Sequence, residues 1–305
     1  MPVRSILNMS ECEIKESGEY ELTSHIYAIF IIMVISLLGT LLPITIDKVV
    51  KSDKGAFFIQ IIKCFGTGVI LSTAVIHMLI PAVEMFSNPC LTEVLPEYSG
   101  FAGIFILLGI LGTHLIQVTA ESYARSNKNS TSDDLEASHN HVLVFEQSSK
   151  TAVYLLELGI ASHSIIVGIA LGVATDEFLT LLIALCFHQC FEGMALGAVV
   201  SDSKFKGSRI SRMMVLIYSL TTPLGIVIGI IIQQQYNDNS VAALMSQGVL
   251  EALASGILIY DGLVNIMGPH FSTISFKELD LMNRVVHIIS LWGGVITMAV
   301  IGIWA

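Results

Sequence analysis

Two apolar stretches of the chain carry side chains that bind metals. One reads His163-Ser164-Ile165-Ile166-Val167-Gly168-Ile169-Ala170-Leu171-Gly172. The other reads His188-Gln189-Cys190-Phe191-Glu192-Gly193-Met194-Ala195-Leu196-Gly197. They share His, Gly, Ala, Leu and Gly in one register, 25 residues apart. Glu192 follows His188 by four residues, so a helix puts both on one face. Neutral imidazole and carboxylate suit a borderline divalent metal, zinc well and iron(II) acceptably. Thiolate is missing from the set, which argues against copper(I). Cys186 and Cys190 stand about 200° around the helix from His188 and should only pack.

Other polar residues extend the pattern. His77 and Glu84 are seven residues apart and read as an entrance pathway for a cation. Glu157, seven residues before Ser164, reads as an exit group; an interhelical hydrogen bond is its structural alternative. His139 and His141 offer a weak two-imidazole metal site in a polar loop, where simple solvation is the alternative. His114, Glu251 and Asp261 are also in apolar stretches and receive no role.

Lipid must position these groups. Hydrophobic residues make up 53% of the 305 and charged ones only 13%, about half the ~25% usual in soluble domains. The mean hydropathy is +0.75. Eight stretches are long and apolar enough to span a bilayer: 24–46, 56–84, 100–120, 151–173, 178–200, 213–235, 241–266 and 285–305. The expected fold is therefore all-α, a polytopic membrane protein of eight transmembrane helices. An arm over 1–23 precedes helices 1–3 (24–120). A cytosolic loop over 121–150, rich in Ser, Asn and Asp, leads to helices 4–5 (151–200) and helices 6–8 (201–305). Successive spans run in opposite directions, so the His-Gly-Ala-Leu-Gly pattern is a short inverted repeat, which places substrate at the repeat interface near the midplane. His163 lies 13 residues from both Lys150 and Asp176, and His188 lies between Glu177 and Asp202, so both imidazoles fall near mid-membrane. The Gly168/Gly172 and Gly193/Gly197 pairs are expected to let helices 4 and 5 approach closely.

Twelve of the 15 Lys and Arg residues fall at loops 1–2, 3–4, 5–6 and 7–8. The positive-inside rule then puts both termini outside the cytoplasm. Cys12 and Cys90 share that outer side, where a disulfide and two free thiols are both open. Asn8 heads an outward glycosylation sequon; the one at Asn129 is on the cytosolic side. Acidic residues outnumber basic ones 25 to 15 and no basic patch stands out, so nucleic acid is excluded as a partner.

These residues resemble the ZIP (Zrt/Irt-like) family of metal-ion transporters over nearly the whole chain. The resemblance rests on Glu157-Leu-Gly-Ile-Ala-Ser-His163-Ser164 and His188-Gln189-x-Phe-Glu192-Gly193. Supporting matches are His77 to Glu84, Thr221-Thr222-Pro223-Leu-Gly225 and Ser255-Gly256-Ile-Leu-Ile-Tyr260. The chain looks closest to the fungal, plant and protist branch. The resemblance implies no cofactor, and zinc, or else iron(II), manganese or cadmium, moved into the cytoplasm from outside or from an organelle lumen. It implies a 3+2+3 helix arrangement with helices 4 and 5 central, a homodimer, and residence in the plasma membrane. His163, His188 and Glu192 match the primary site, with Ser164 and Gln189 as partners of a second. Val167 and Thr222 stand where some relatives have glutamate, so one strong site is expected. The enzyme-class alternative is an intramembrane metal-dependent hydrolase, but a His-Glu-x-x-His motif is absent from the sequence.

Overall fold

The computed structural model describes residues 20–49, 53–92, 94–96, 98–126, 137–175, 178–202 and 208–304. Among them there is no strand. Eight helices are long and apolar enough to cross a membrane. α1 is Leu22–Val49. α2 runs through Asp53–Ser72, widens to a π-helical segment at Thr73–Leu79 and ends with Ile80–Phe86. α3 is Phe101–Ser126, α4 Ala137–Val173, α5 Phe178–Asp202 and α6 Arg209–Ile232. α7 runs through Val241–Tyr260, a π-helical segment at Asp261–Met267, and Gly268–Ser272. α8 is Leu281–Ile301. The arm before Tyr20, with Asn8 and Cys12, lies outside the described residues, as does Asn129. Cys90 is disulfide-bonded, whereas Cys64, Cys186 and Cys190 are free thiols.

Several boundaries differ from the sequence reading, each for a local reason. The loop over 121–150 is helical at both described ends. α3 continues to Ser126, and α4 begins at Ala137. At 37 residues α4 is about 55 Å long, far beyond the ~30 Å hydrocarbon core. The hydropathy that marks the span therefore does not mark the whole helix. α6 starts earlier than position 213 because the Ser208 side chain accepts from Ser211 N–H and caps it. α8 starts at Leu281, after Asp280.

Glycines decide which helices meet. A Cβ on Gly168 would stand 2.4 Å from the Thr222 carbonyl oxygen, and one on Gly172 2.5 Å from that of Ile226, so α4 lies backbone to backbone on α6. Gly197 meets the Thr40 carbonyl oxygen at 2.3 Å and Gly39 that of Cys190 at 2.6 Å, so α5 lies on α1. The two glycine pairs thus do not join α4 to α5, as their shared register had implied. α4 and α5 touch little. Two further locks follow the same pattern: Gly68 and Gly294 join α2 to α8, and Gly109 and Gly256 join α3 to α7.

The pairings repeat with an exchange of partners. α4 packs on α6 as α5 packs on α1; α2 packs on α8 as α7 packs on α3. Contacts of α2 with α5 and of α7 with α4 also correspond. Exchanging α1–α3 with α6–α8 and α4 with α5 maps this pattern onto itself, and it maps the π-helical segment of α2 onto that of α7. Half of the α4 and α5 spans is buried, against 22% of α3 and 17% of α8, so the first two are interior and the last two present Leu107, Leu111, Ile289 and Trp292 to lipid. Several hydroxyls along the spans bond to carbonyls one turn back, as Ser36 does to Ile32 and Thr40 to Ser36, which satisfies them without water.

Replacing Gly168 with Leu should destabilise the protein by about 1–3 kcal/mol or more, because backbone blocks the new side chain. Gly112 has nothing within 4 Å of an added Cβ, so Gly112→Leu should leave stability near that of the parent. Melting of the two detergent-purified variants, followed by size-exclusion chromatography, checks the contrast.

Candidate metal centre

His163 of α4 and His188 and Glu192 of α5 converge although their helices barely touch. Each offers a ligand atom within 4.8 Å of the others, and all three are buried. His188 Nε2 is 3.2 Å from Glu192 Oε1, without hydrogen-bond alignment. The His163 and His188 ring centroids are 5.5 Å apart.

Two neighbours were not assigned to this centre by sequence. Glu251 of α7 accepts from His163 Nδ1–H, with both carboxylate oxygens at 3.1 Å. That bond fixes the tautomer and leaves the His163 Nε2 lone pair for a ligand. The available signal was that Glu251 is an acid inside a span, where such groups are rarely without function; its partner is 88 residues away. His77 of α2, read as an entrance group, stands with its ring centroid 5.1 Å from that of His188. Its Nε2–H donates to the Met298 carbonyl of α8 at 2.9 Å. His77 lies within the widened segment of α2, and such segments often sit at functional sites. Ser255 Oγ of α7 donates to the Ala74 carbonyl at 2.8 Å and ties α7 to that same segment.

Buried polar atoms in proteins are nearly always hydrogen-bonded. Here His163 Nε2, both His188 nitrogens and Glu192 Oε2 have no such partner within the protein. Beside them in the chain, Ser164 Oγ and Gln189 Nε2 are in the same state, as is Thr222 Oγ1. Imidazole nitrogens and a carboxylate oxygen, desolvated and unpartnered, are the donor set of a divalent transition metal.

The other sequence candidates scatter. Glu84 is exposed on the last helical part of α2. Glu157 is buried, and its Oε1 has no partner. Cys186 and Cys190 do not join the cluster. The side chains of His139 and His141 lie outside the described residues. His114 Nδ1 meets the Tyr260 hydroxyl at 2.9 Å; Asp261 Oδ1 accepts from Asn265, while its Oδ2 has no partner.

Eight apolar spans around a buried His/Glu cluster define a polytopic membrane protein with a candidate metal centre at its core. The chain belongs to the ZIP Zinc transporter family, whose model matches residues 22–145 and 117–302. It is 32% identical over 302 residues to Zinc-regulated transporter 1 of Candida albicans, covering 96% of this chain and 63% of that protein. It is 33% identical to Zinc transporter 3 of Arabidopsis thaliana, covering 97% of this chain and 89% of that one. Fe(2+) transport protein 1 of Arabidopsis thaliana is 34% identical over 264 residues, 81% of this chain and 76% of that protein. The family is one of metal transporters rather than enzymes, which sets aside the hydrolase alternative.

Glu251→Ala should weaken zinc binding by about 10–100-fold, the usual cost of losing a partner that orients a ligating imidazole. Calorimetric titration of the purified variant would measure it. Affinity equal to that of the parent would mean that the bond to His163 plays no part in holding metal.

Proposed function

We propose that the chain carries zinc, with iron(II) as a second substrate, across its membrane into the cytoplasm through His163, His188 and Glu192. The observation that carries this reading is the convergence of those three buried ligands between α4 and α5 in a chain of this family. Zinc and iron(II) are named for its relatives and agree with a donor set of nitrogen and oxygen. Glu192 and Glu251 together would supply two negative charges, equal to the charge of the ion. Ser164 and Gln189 add weaker or water-mediated contacts. His77 joins on the α2 side; Glu84 serves the entrance and Glu157 the exit.

The grouping of helices supports a route for access. α1, α4, α5 and α6 are joined to one another through the glycine contacts of α4 with α6 and α5 with α1, and through packing of α1 on α6. α2, α3, α7 and α8 form the other group through α2 with α8 and α3 with α7. His163, His188 and Glu192 belong to the first group; His77 and Glu251 belong to the second. Sliding of one group on the other would break and remake the His163–Glu251 contact as the ion changes sides. Both termini are outside the cytoplasm, the membrane is the plasma membrane, and the working unit is a homodimer in this reading.

His163→Ala and His188→Ala should each nearly abolish zinc uptake into proteoliposomes at matched protein density, and Glu192→Gln should be at least as damaging. Each removes one of about three strong ligands, and low dielectric magnifies the lost charge. Near-normal uptake in all three would refute the site. Uptake should also fall as external pH drops below about 6.5, the ordinary imidazole value, because only neutral imidazole binds metal. Initial rates from pH 5 to 8 at fixed internal pH check the sign; a rate rising steadily toward pH 5 would instead mean that protons drive the ion.

A further inference from the structure

A second cluster of metal-ligating side chains lies away from the centre. Cys64 of α2, His270 near the end of α7 and His287 of α8 bring ligand atoms within 4.8 Å of one another. Cys64 and His287 are each 2% exposed, and His270 is half-buried. We propose that these three side chains form a second binding site for a divalent transition metal, zinc foremost, at the end of the bundle where Lys and Arg concentrate.

The donor set is the first argument. Thiolate with imidazole is a standard ligand combination for zinc, and it differs in kind from the nitrogen and oxygen set at the centre. The Cys64 thiolate would supply one of the negative charges that two imidazoles cannot.

Geometry is the second. Cys64 Sγ is 3.2 Å from His270 Nε2. Ligands on one tetrahedral zinc, with Zn–S about 2.3 Å and Zn–N about 2.0–2.1 Å, stand about 3.5 Å apart. The pair is already near that separation. His287 Nδ1–H donates to the Asn283 carbonyl at 2.7 Å. This bond fixes the ring orientation and leaves the Nε2 lone pair for a metal, the usual arrangement behind a ligating histidine. The His270 and His287 centroids are 5.4 Å apart. Phe57 and Phe276 stand edge-on to His287, and Phe271 stands edge-on to His270. These rings hold the imidazoles in place and shield the cluster on their side. Three protein ligands leave the fourth tetrahedral position to water or to an incoming group.

Placement is the third. Cys64 precedes His77 on α2 by thirteen residues, about 20 Å along the helix. His287 precedes Met298, whose carbonyl holds His77, by eleven residues on α8, about 16 Å. The same two helices thus carry both clusters at different depths. Metal here would clip α2, α7 and α8 together at one end of their group, beyond the central ligands. The site does not depend on the transport reading, because its donors are its own.

Cobalt(II) binding to the full-length, chelator-stripped protein in detergent tests the proposal. Cobalt bound to a thiolate gives a near-ultraviolet charge-transfer absorption that a His/carboxylate centre cannot give. The absorption should appear in the parent chain, persist in His188→Ala and in the Cys186→Ser/Cys190→Ser double variant, and bleach when zinc is added. Cys64→Ser should abolish it while the protein remains monodisperse, and the zinc content should fall by about one ion per chain. His287→Ala should weaken cobalt binding about tenfold or more, since losing a ligand costs no less than losing its orienting partner; it also serves as the test if Cys64→Ser fails to fold. A parent chain with no thiolate absorption, or an absorption that survives both Cys64→Ser and His287→Ala, would reduce the cluster to a Cys–His hydrogen bond and overturn the site.

Discussion

Hydrocarbon gives a divalent cation nothing in place of its water, and it gives a buried imidazole or carboxylate no partner either. A polar group at the centre of this bundle therefore needs another group or an ion as its partner. Glu251 holds His163, the Met298 carbonyl holds His77, and Ser255 reaches the Ala74 carbonyl. The atoms left over are His163 Nε2, the His188 nitrogens and Glu192 Oε2. These are the atoms a metal would use. The supporting bonds come from α7 and α8, so the centre needs more helices than the two that supply its ligands.

That requirement explains the packing. Backbone contact through glycine joins α4 to α6 and α5 to α1. It leaves α4 and α5 apart where the ligands project. A tight α4–α5 seam would have filled the centre with backbone and left no room for an ion with bonds of about 2 Å to several ligands. Van der Waals contact and small residues are what membrane helices have to associate with, since lipid tails are as apolar as leucine. The two glycine-joined groups meet across the side chains of His77, His163, His188 and Glu251.

The Cys64, His270 and His287 cluster shows the same economy of helices with different chemistry. It borrows α2, α7 and α8, the helices that support the centre, and adds a cysteine sulfur that the centre lacks. An ion there would stiffen the supporting group without occupying the ligands between α4 and α5.

The sequence alone determined the eight spans, because lipid selects runs of about 20 apolar residues by a local rule. It also singled out His163, His188 and Glu192, whose side chains the fold brings together, since a helical repeat and depth from flanking charges are local too. Tertiary structure decided the rest. Gly168 and Gly193 share a register, yet face α6 and α1, because a small residue permits close approach without saying to which neighbour. Glu251 meets His163 across 88 residues, and Cys64 meets His270 across 206; no periodicity along one helix carries such a pairing. The extension of α4 back to Ala137 escaped notice because hydropathy reports the membrane, whereas a helix obeys hydrogen bonding along its backbone and continues past the lipid. Pairings of that kind are fixed by how complete helices lie on one another, which is a property of the packed bundle and not of any one stretch of chain.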